Sequence, residues 1–122
     1  MYSAQVLDHF QNPRHAGDIS AADAIAEIEN PVCGDMLRLS IKISAGRIVE
    51  IGFKAKGCVP SMACASALTE LVHGKTFDEA RAINRASLIA AVGGLPQAST
   101  HAAQLALDAL ATALNQIDSQ KQ

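Results

Sequence analysis

The chain of 122 residues contains no tryptophan, one tyrosine and three phenylalanines. That scarcity removes the aromatic platforms on which single-stranded nucleic-acid modules stack bases. Excess charge of one sign is missing too. Ten Lys and Arg stand against twelve Asp and Glu, for a net charge of −2 and a pI near 6.0, so there is no field to draw a polyanion. No apolar run approaches the roughly 18–20 residues that span a bilayer. The start, Met1-Tyr2-Ser3-Ala4-Gln5-Val6-Leu7-Asp8, lacks the basic and apolar regions of a secretory signal. A cytoplasmic chain with neither membrane nor nucleic acid as partner is expected. Cysteine is scarce as well: three make an odd number for a disulfide framework, and in a reducing compartment thiols turn to metal or redox use. What is abundant is small and aliphatic. Hydrophobic residues make up 49% of the chain, enough for a single packed domain over residues 1–122.

Hydrophobic spacing sets the order of elements. Residues 3–10 read as a short helix capped by Ser3, with Val6, Leu7 and Phe10 at helical spacing, and stopped at Asn12-Pro13. A first strand is expected over 24–29, with Ala24, Ala26 and Ile28 on one face. Residues 36–43 alternate clearly, Leu37, Leu39, Ile41 and Ile43 against Arg38, Ser40 and Lys42, which describes a half-buried strand. After the turn Ser44-Ala45-Gly46, a second alternating run sets Val49, Ile51, Phe53 and Ala55 against Ile48, Glu50, Gly52, Lys54 and Lys56. Two such runs joined by a short glycine-containing turn predict an antiparallel hairpin.

Beyond Gly57 the period becomes helical. A helix over 60–73 is opened by Pro60 and closed by Gly74. Thr76 and Glu79 form a capping box for a helix over 77–83. A further helix spans 85–92 before Gly93-Gly94, and after the Leu95-Pro96 break Ser99 or Thr100 caps a last helix near 100–118. Its apolar stripe holds Ala103, Leu107, Leu110, Leu114 and Ile117. The expected fold is α+β, a three-stranded antiparallel sheet with helices packed on one face.

The residues with chemistry to offer fall at element boundaries. Cys33-Gly34-Asp35 lies in the turn between the first two strands, Cys58 between the third strand and a helix, and His101 at the start of the last helix. A helix N-terminus stabilises a thiolate, the form that binds metal, by about 0.3–1 kcal/mol, which suits Cys58. The same helix end disfavours imidazolium at His101, leaving the ring in its ligand form. Gly34 permits a tight turn that turns Cys33 and Asp35 toward one site. Two thiolates, a carboxylate and an imidazole make a tetrahedral set for zinc or iron. Each residue also has a plainer reading: a buried cysteine, a turn-forming aspartate, a polar first-turn histidine. Cys64 points some 240° away from Cys58 on an ideal helix, at roughly 100° per residue, and is read as a core residue. His9, His15 and His73 have no partner pattern and are expected to face solvent.

Over almost its whole length the sequence resembles the IscU-type scaffold family, which is also the N-terminal domain of NifU. The resemblance is carried by Tyr2-Ser3, Asp8-His9-Phe10-Gln11-Asn12-Pro13-Arg14, Pro31-Val32-Cys33-Gly34-Asp35, Phe53-Lys54-Ala55-Lys56-Gly57-Cys58 and Ala63-Cys64-Ala65-Ser66-Ala67-Leu68-Thr69-Glu70, with Gly74-Lys75 and the Leu95-Pro96 break. It implies a scaffold rather than an enzyme. On such a scaffold a transient [2Fe–2S] cluster is built from iron and from sulfur delivered by a cysteine desulfurase, then passed to acceptor apoproteins. Zinc or iron binds at the same residues, which match Cys33, Asp35, Cys58 and His101 here.

Two departures stand out. The family's third cysteine, directly after the late histidine, is Ala102, which predicts weaker or more labile cluster binding. The family's Leu-Pro-Pro-Val-Lys chaperone segment reads Leu95-Pro96-Gln97-Ala98-Ser99, so the resemblance does not carry a chaperone interaction over. Two other functions compete. One is a degenerate relative that holds zinc or binds assembly partners without building a cluster. The other is an enzyme pairing Cys58 or Cys33 with His101 as base, against which stands the absence of a hydrolytic elbow or a substrate-binding glycine loop. A monomer or a weak homo-oligomer is expected.

Overall fold

The alternation that begins at Met36 is realised as the central strand of a three-stranded antiparallel sheet of order β1-β2-β3. The strands are β1 (Ala24–Asn30), β2 (Asp35–Ser44) and β3 (Arg47–Lys56). The computed structural model describes residues 2–30 and 34–120, with side chains to residue 118; Cys33 lies outside the described residues. Leu37, Leu39 and Ile41 of β2 pair with Ala55, Phe53 and Ile51 of β3, so one face of the sheet is continuously apolar. Ala24 and Ala26 extend that face onto β1. The helices are α1 (Ala4–Gln11), α2 (Val59–Val72), α3 (Phe77–Arg81), α4 (Arg85–Ala91) and α5 (His101–Gln120). Helix α5 packs on β1 and β2, α2 packs on β3, and the two helices pack on each other. The buried residues of the two helices are largely small, Ala63, Cys64, Ala65 and Ala67 on α2 and Ala102, Ala103, Ala106 and Ala109 on α5. Leu68, Leu88 and Leu114 are buried in the same core, each burial stabilising the fold by about 1.5–3 kcal/mol. This is the expected α+β arrangement. Among the described residues no helix is long and apolar enough to cross a membrane.

The expected inward set of β3 is corrected at its start. A register shift between Lys42 and Ile43 pairs Lys42 with Glu50 but Ile43 with Ile48. Two residues of β3 thus oppose one step of β2, a bulge that reverses the alternation. Ile48 is fully buried, and Val49 is 39% exposed. Each outer edge of the sheet is answered in part. Along β3, Gly17 N donates to Phe53 O and Phe53 N to His15 O, while Ile48 N donates to Lys75 O and Gly74 N to Ile48 O. Along β1, the side-chain amide of Gln116 accepts from Ile25 N and donates to Ile25 O. Edge positions answered in this way are closed to another strand.

Helix α1 also departs from expectation. Ser3 caps it, accepting from Val6 N at 3.0 Å, but the buried side is Val6 with His9, while Leu7 and Phe10 remain substantially exposed. His9 is therefore not solvent-facing. Its Nδ1 lies 2.8 Å from Ser66 Oγ, and Arg14 N donates to the same hydroxyl at 2.8 Å, fastening the Asn12-Pro13-Arg14 turn to α2. His15 and His73 are exposed as expected, with their rings 4.9 Å apart. At the other end, Thr100 is the residue that directly precedes α5. A 3-10 turn, Gln97–Ser99, runs into it, and the Thr100 hydroxyl donates back to Gln97 O at 3.0 Å. Helix α3 has the expected capping box of Thr76 and Glu79.

Candidate metal centre

Three chain ends meet where β2 begins, β3 ends and α5 starts. Gly34 (φ +75°) leads into Asp35, the first residue of β2, which is only 2% exposed. Burying a carboxylate is costly unless its oxygens are answered, and here both are. Cys58 is the N-cap of α2, and its own side chain makes no cap bond. Instead Cys58 N donates to Asp35 Oδ1 at 3.1 Å, and Ser61 Oγ donates to Asp35 Oδ2 at 2.6 Å. The carboxylate thus takes the place of a cap at the positive end of α2, where negative charge is favoured. Cys58 Sγ lies 3.3 Å from Asp35 Oδ2 and 3.2 Å from Ser61 Oγ.

His101, the first residue of α5, completes the group. Its Nδ1 is 3.2 Å from Ala98 O; a carbonyl only accepts, so that nitrogen carries a proton, and in the neutral ring Nε2 carries a lone pair. Nε2 is buried and has no hydrogen-bond partner. It sits 3.5 Å from Asp35 Oδ2, a lone pair facing a carboxylate oxygen. Such a contact gains from a cation between the two. A tetrahedral ion with bonds of about 2.0–2.3 Å holds its ligand atoms about 3.3–3.8 Å apart, and Cys58 Sγ and His101 Nε2 lie 3.3 Å and 3.5 Å from Asp35 Oδ2. One ligand atom from each of Asp35, Cys58 and His101 lies within 4.8 Å of the others. A sulfur, an oxygen and an imidazole nitrogen together suit zinc or iron, and the backbone carbonyl behind the ring supplies the usual orienting partner of a histidine ligand.

Of the four residues expected to ligate, then, Asp35, Cys58 and His101 converge. Cys33 precedes Gly34 in the chain and lies outside the described residues. Cys64 is fully buried, and burial, with the neighbouring Cys58, pushes its thiol up to about 12; it is the core residue expected. Ala102 is 1% exposed and belongs to the packed core. Two residues of the site were not expected from the sequence. Ser61 is one, although its position three residues past an N-cap places it beside the cap on the first turn. Gly57 is the other. It has φ +140°, and a Cβ there would lie 2.0 Å from Asp35 Oδ1.

The sequence and the fold match those of known proteins. The chain matches the family described as the NifU-like N terminal domain over residues 1–122. It is 46% identical over 114 residues to the iron-sulfur cluster assembly scaffold protein IscU 1 of Archaeoglobus fulgidus, covering 93% of this chain and 74% of that one. Against the IscU scaffold protein of Aquifex aeolicus it is 36% identical over 115 residues, covering 93% and 73%. The crystal structure of the N-terminal part of a nitrogen-fixing NifU-like protein from Brucella abortus superposes with a TM-score of 0.82 at 21% identity, covering 96% of this chain and 94% of that one; at that identity the likeness is one of fold. A match along the full chain, with relatives this similar, makes this protein a member of the NifU-like N-terminal domain family.

Proposed function

We propose that this chain is a scaffold on which an iron–sulfur cluster is assembled and from which it is transferred to acceptor apoproteins. The observation that carries the reading is the buried, unpartnered His101 Nε2 facing Asp35 Oδ2 beside the Cys58 sulfur. A donor set left facing inward, with one nitrogen unsatisfied, is arranged for a cationic guest. The scaffold names of the relatives support the same reading. Iron and sulfide are cargo here, and the residues proposed to hold them are Cys33, Asp35, Cys58 and His101. Of the cluster types, [2Fe–2S] suits four ligands of mixed sulfur, oxygen and nitrogen. The sulfur donor is a cysteine desulfurase. Because the site lies at the open end of the sheet, with the His101 side chain 39% exposed, the cargo can be received and surrendered without unfolding the core.

Anaerobic reconstitution of the metal-free chain with ferric iron and sulfide tests this. The expected product is coloured, with about two irons and two sulfides per cluster, and loses its cluster to an apo-ferredoxin. A colourless product that retains no iron would overturn the reading.

Ala102, where the resemblance places a third thiol, favours a second reading, a relative that holds zinc or binds assembly partners without building a cluster. Zinc that binds tightly and is not displaced during reconstitution would favour this alternative.

A further inference from the structure

We infer that Ser61 is a positioning residue of this site, a hydroxyl that holds the Asp35 carboxylate in place for the ion and hydrogen-bonds the Cys58 sulfur in the loaded state. The inference rests on the metal-site reading above and extends it to a residue outside the ligand set. Ser61 is 3% exposed and lies on the first turn of α2, three residues past its N-cap. Its Oγ is 2.6 Å from Asp35 Oδ2 and 3.2 Å from Cys58 Sγ.

Those two distances say what Ser61 is not. Two oxygen ligands of one tetrahedral ion stand about 3.3 Å apart, given metal–oxygen bonds of about 2.0–2.2 Å. At 2.6 Å the serine and aspartate oxygens are hydrogen-bonded, too close to share an ion as ligands. His101 Nε2 at 3.5 Å, with no hydrogen bond, has ligand spacing from the same oxygen, and the Cys58 thiol, which donates to it at 3.3 Å, becomes a ligand once it gives up its proton. Ser61 therefore stands behind Asp35, and Cys58 and His101 stand beside it.

A carboxylate oxygen has two lone-pair directions. Ser61 donates to Oδ2 and Cys58 N to Oδ1, so the carboxylate is held at both oxygens; the Cys58 thiol also donates to Oδ2, a contact that loss of its proton on metal binding converts into shared ligation. A hydroxyl carries one proton, which Ser61 gives to Asp35. A metal-bound sulfur has no proton of its own to offer, so in the loaded site the 3.2 Å contact is answered by the same Ser61 proton, shared in a three-centre bond between Asp35 Oδ2 and Cys58 Sγ. One hydroxyl then orients the carboxylate and draws electron density from the thiolate.

The test uses the full chain, metal-free, with zinc titrated against a chromophoric chelator and with cobalt(II) as an optical probe. Ser61→Ala suits a helix, and the thermal midpoint of the metal-free variant, measured beside its zinc affinity, separates loss of binding from loss of fold. Loss of an outer hydrogen bond to a ligand costs roughly 10–100-fold in metal affinity, and that fall is expected here. The sulfur-to-cobalt charge-transfer band should also move to lower energy, because a thiolate relieved of a hydrogen bond is a stronger donor. Thr69→Val is the control. It removes another buried hydroxyl of α2, bonded to Ser66 O and Arg14 O, and should change neither readout. Affinity within twofold of wild type and an unmoved cobalt band in Ser61→Ala would overturn the inference, as would an equal effect in Thr69→Val. If the wild-type chain itself held neither zinc nor cobalt, the metal-site reading would fall and this inference with it.

Discussion

Asp35 occupies space that Gly57 leaves empty. The carboxylate Oδ1 lies where the first side-chain atom of any other residue at position 57 would have to be, 2.0 Å away, and the Asp35 Cα would be only 3.0 Å from the same atom. Gly57 also sits at φ +140°, a backbone state that residues with a Cβ rarely adopt. The last turn of β3 is thus shaped around a carboxylate that belongs to the start of β2.

Gly57→Ala is expected to damage stability and site together. The carboxylate cannot simply swing aside, because Cys58 N and Ser61 hold its two oxygens. Backbone strain plus the displaced buried charge should cost about 2–4 kcal/mol. Chemical denaturation of the metal-free chain measures this, and zinc titration should show binding lost in the fraction that still folds. A variant as stable as wild type would mean that Asp35 has another resting place.

Removing His101 should have the opposite profile. Its side chain is 39% exposed, its Nε2 has no hydrogen-bond partner, and it makes one bond, to Ala98 O. His101→Ala should change stability by no more than about 0.5 kcal/mol, as for other substitutions away from the core. Losing one ligand of a tetrahedral set should weaken zinc binding far more than the roughly 10–100-fold seen for an outer hydrogen bond. His73→Ala, exposed and remote from the site, is the comparison. Equal zinc affinity in the two variants would remove His101 from the ligand set.

The contrast between Gly57 and His101 shows what a sequence discloses. The three strands were legible because Leu37, Leu39 and Ile41 alternate with polar residues over a run too regular for a helix. The bulge was not, because Ile48 and Val49 are adjacent and both apolar, and only the pairing of Ile43 with Ile48 decides which turns inward. Cys58 and His101 were legible as candidates because reactive residue types at helix starts have a physical reason to be there. Ser61 was hidden. A serine in the first turn of a helix is commonplace, and what gives it a role is Asp35, 26 residues earlier. His9 was misread for the same reason, its partner Ser66 being 57 residues away.

That buried histidine predicts a pH dependence. Burial, aided by the charge of Arg14 and opposed by Glu70 and Asp8, holds the His9 imidazole below its ordinary range. His15 is lowered as well, first by burial and then by His73. The unfolded chain takes up these protons near the ordinary value of about 6.5, while the folded chain resists them. Folding stability is therefore full above about pH 6.5 and declines as the pH falls below it, until the folded-state values are passed. Thermal midpoints of the metal-free chain should drop between about pH 7.5 and pH 5. His9→Gln should be less stable at neutral pH by about 1–2 kcal/mol, through the disturbed bond to Ser66, yet show a shallower decline. An unchanged slope would place the titration elsewhere.

The last expectation concerns Ala102. It follows His101 directly and is 1% exposed, so Ala102→Cys adds a sulfur atom to a packed helix contact. Overpacking of that size costs on the order of 1 kcal/mol, and the thermal midpoint should fall by a few degrees. Against this loss stands a soft, charged ligand adjoining a site that otherwise relies on an oxygen and a nitrogen for half its donors. Thiolates hold iron–sulfur clusters more firmly than carboxylate or imidazole. The reconstituted variant should therefore surrender iron to a chelator several-fold more slowly than wild type while being the less stable protein. That pairing, weaker fold and longer tenure, separates ligation from a general stiffening of the site, which would raise both. Equal rates of loss would mean that the wild-type donors already close the site, and that the absent thiol does not set how long the cluster stays.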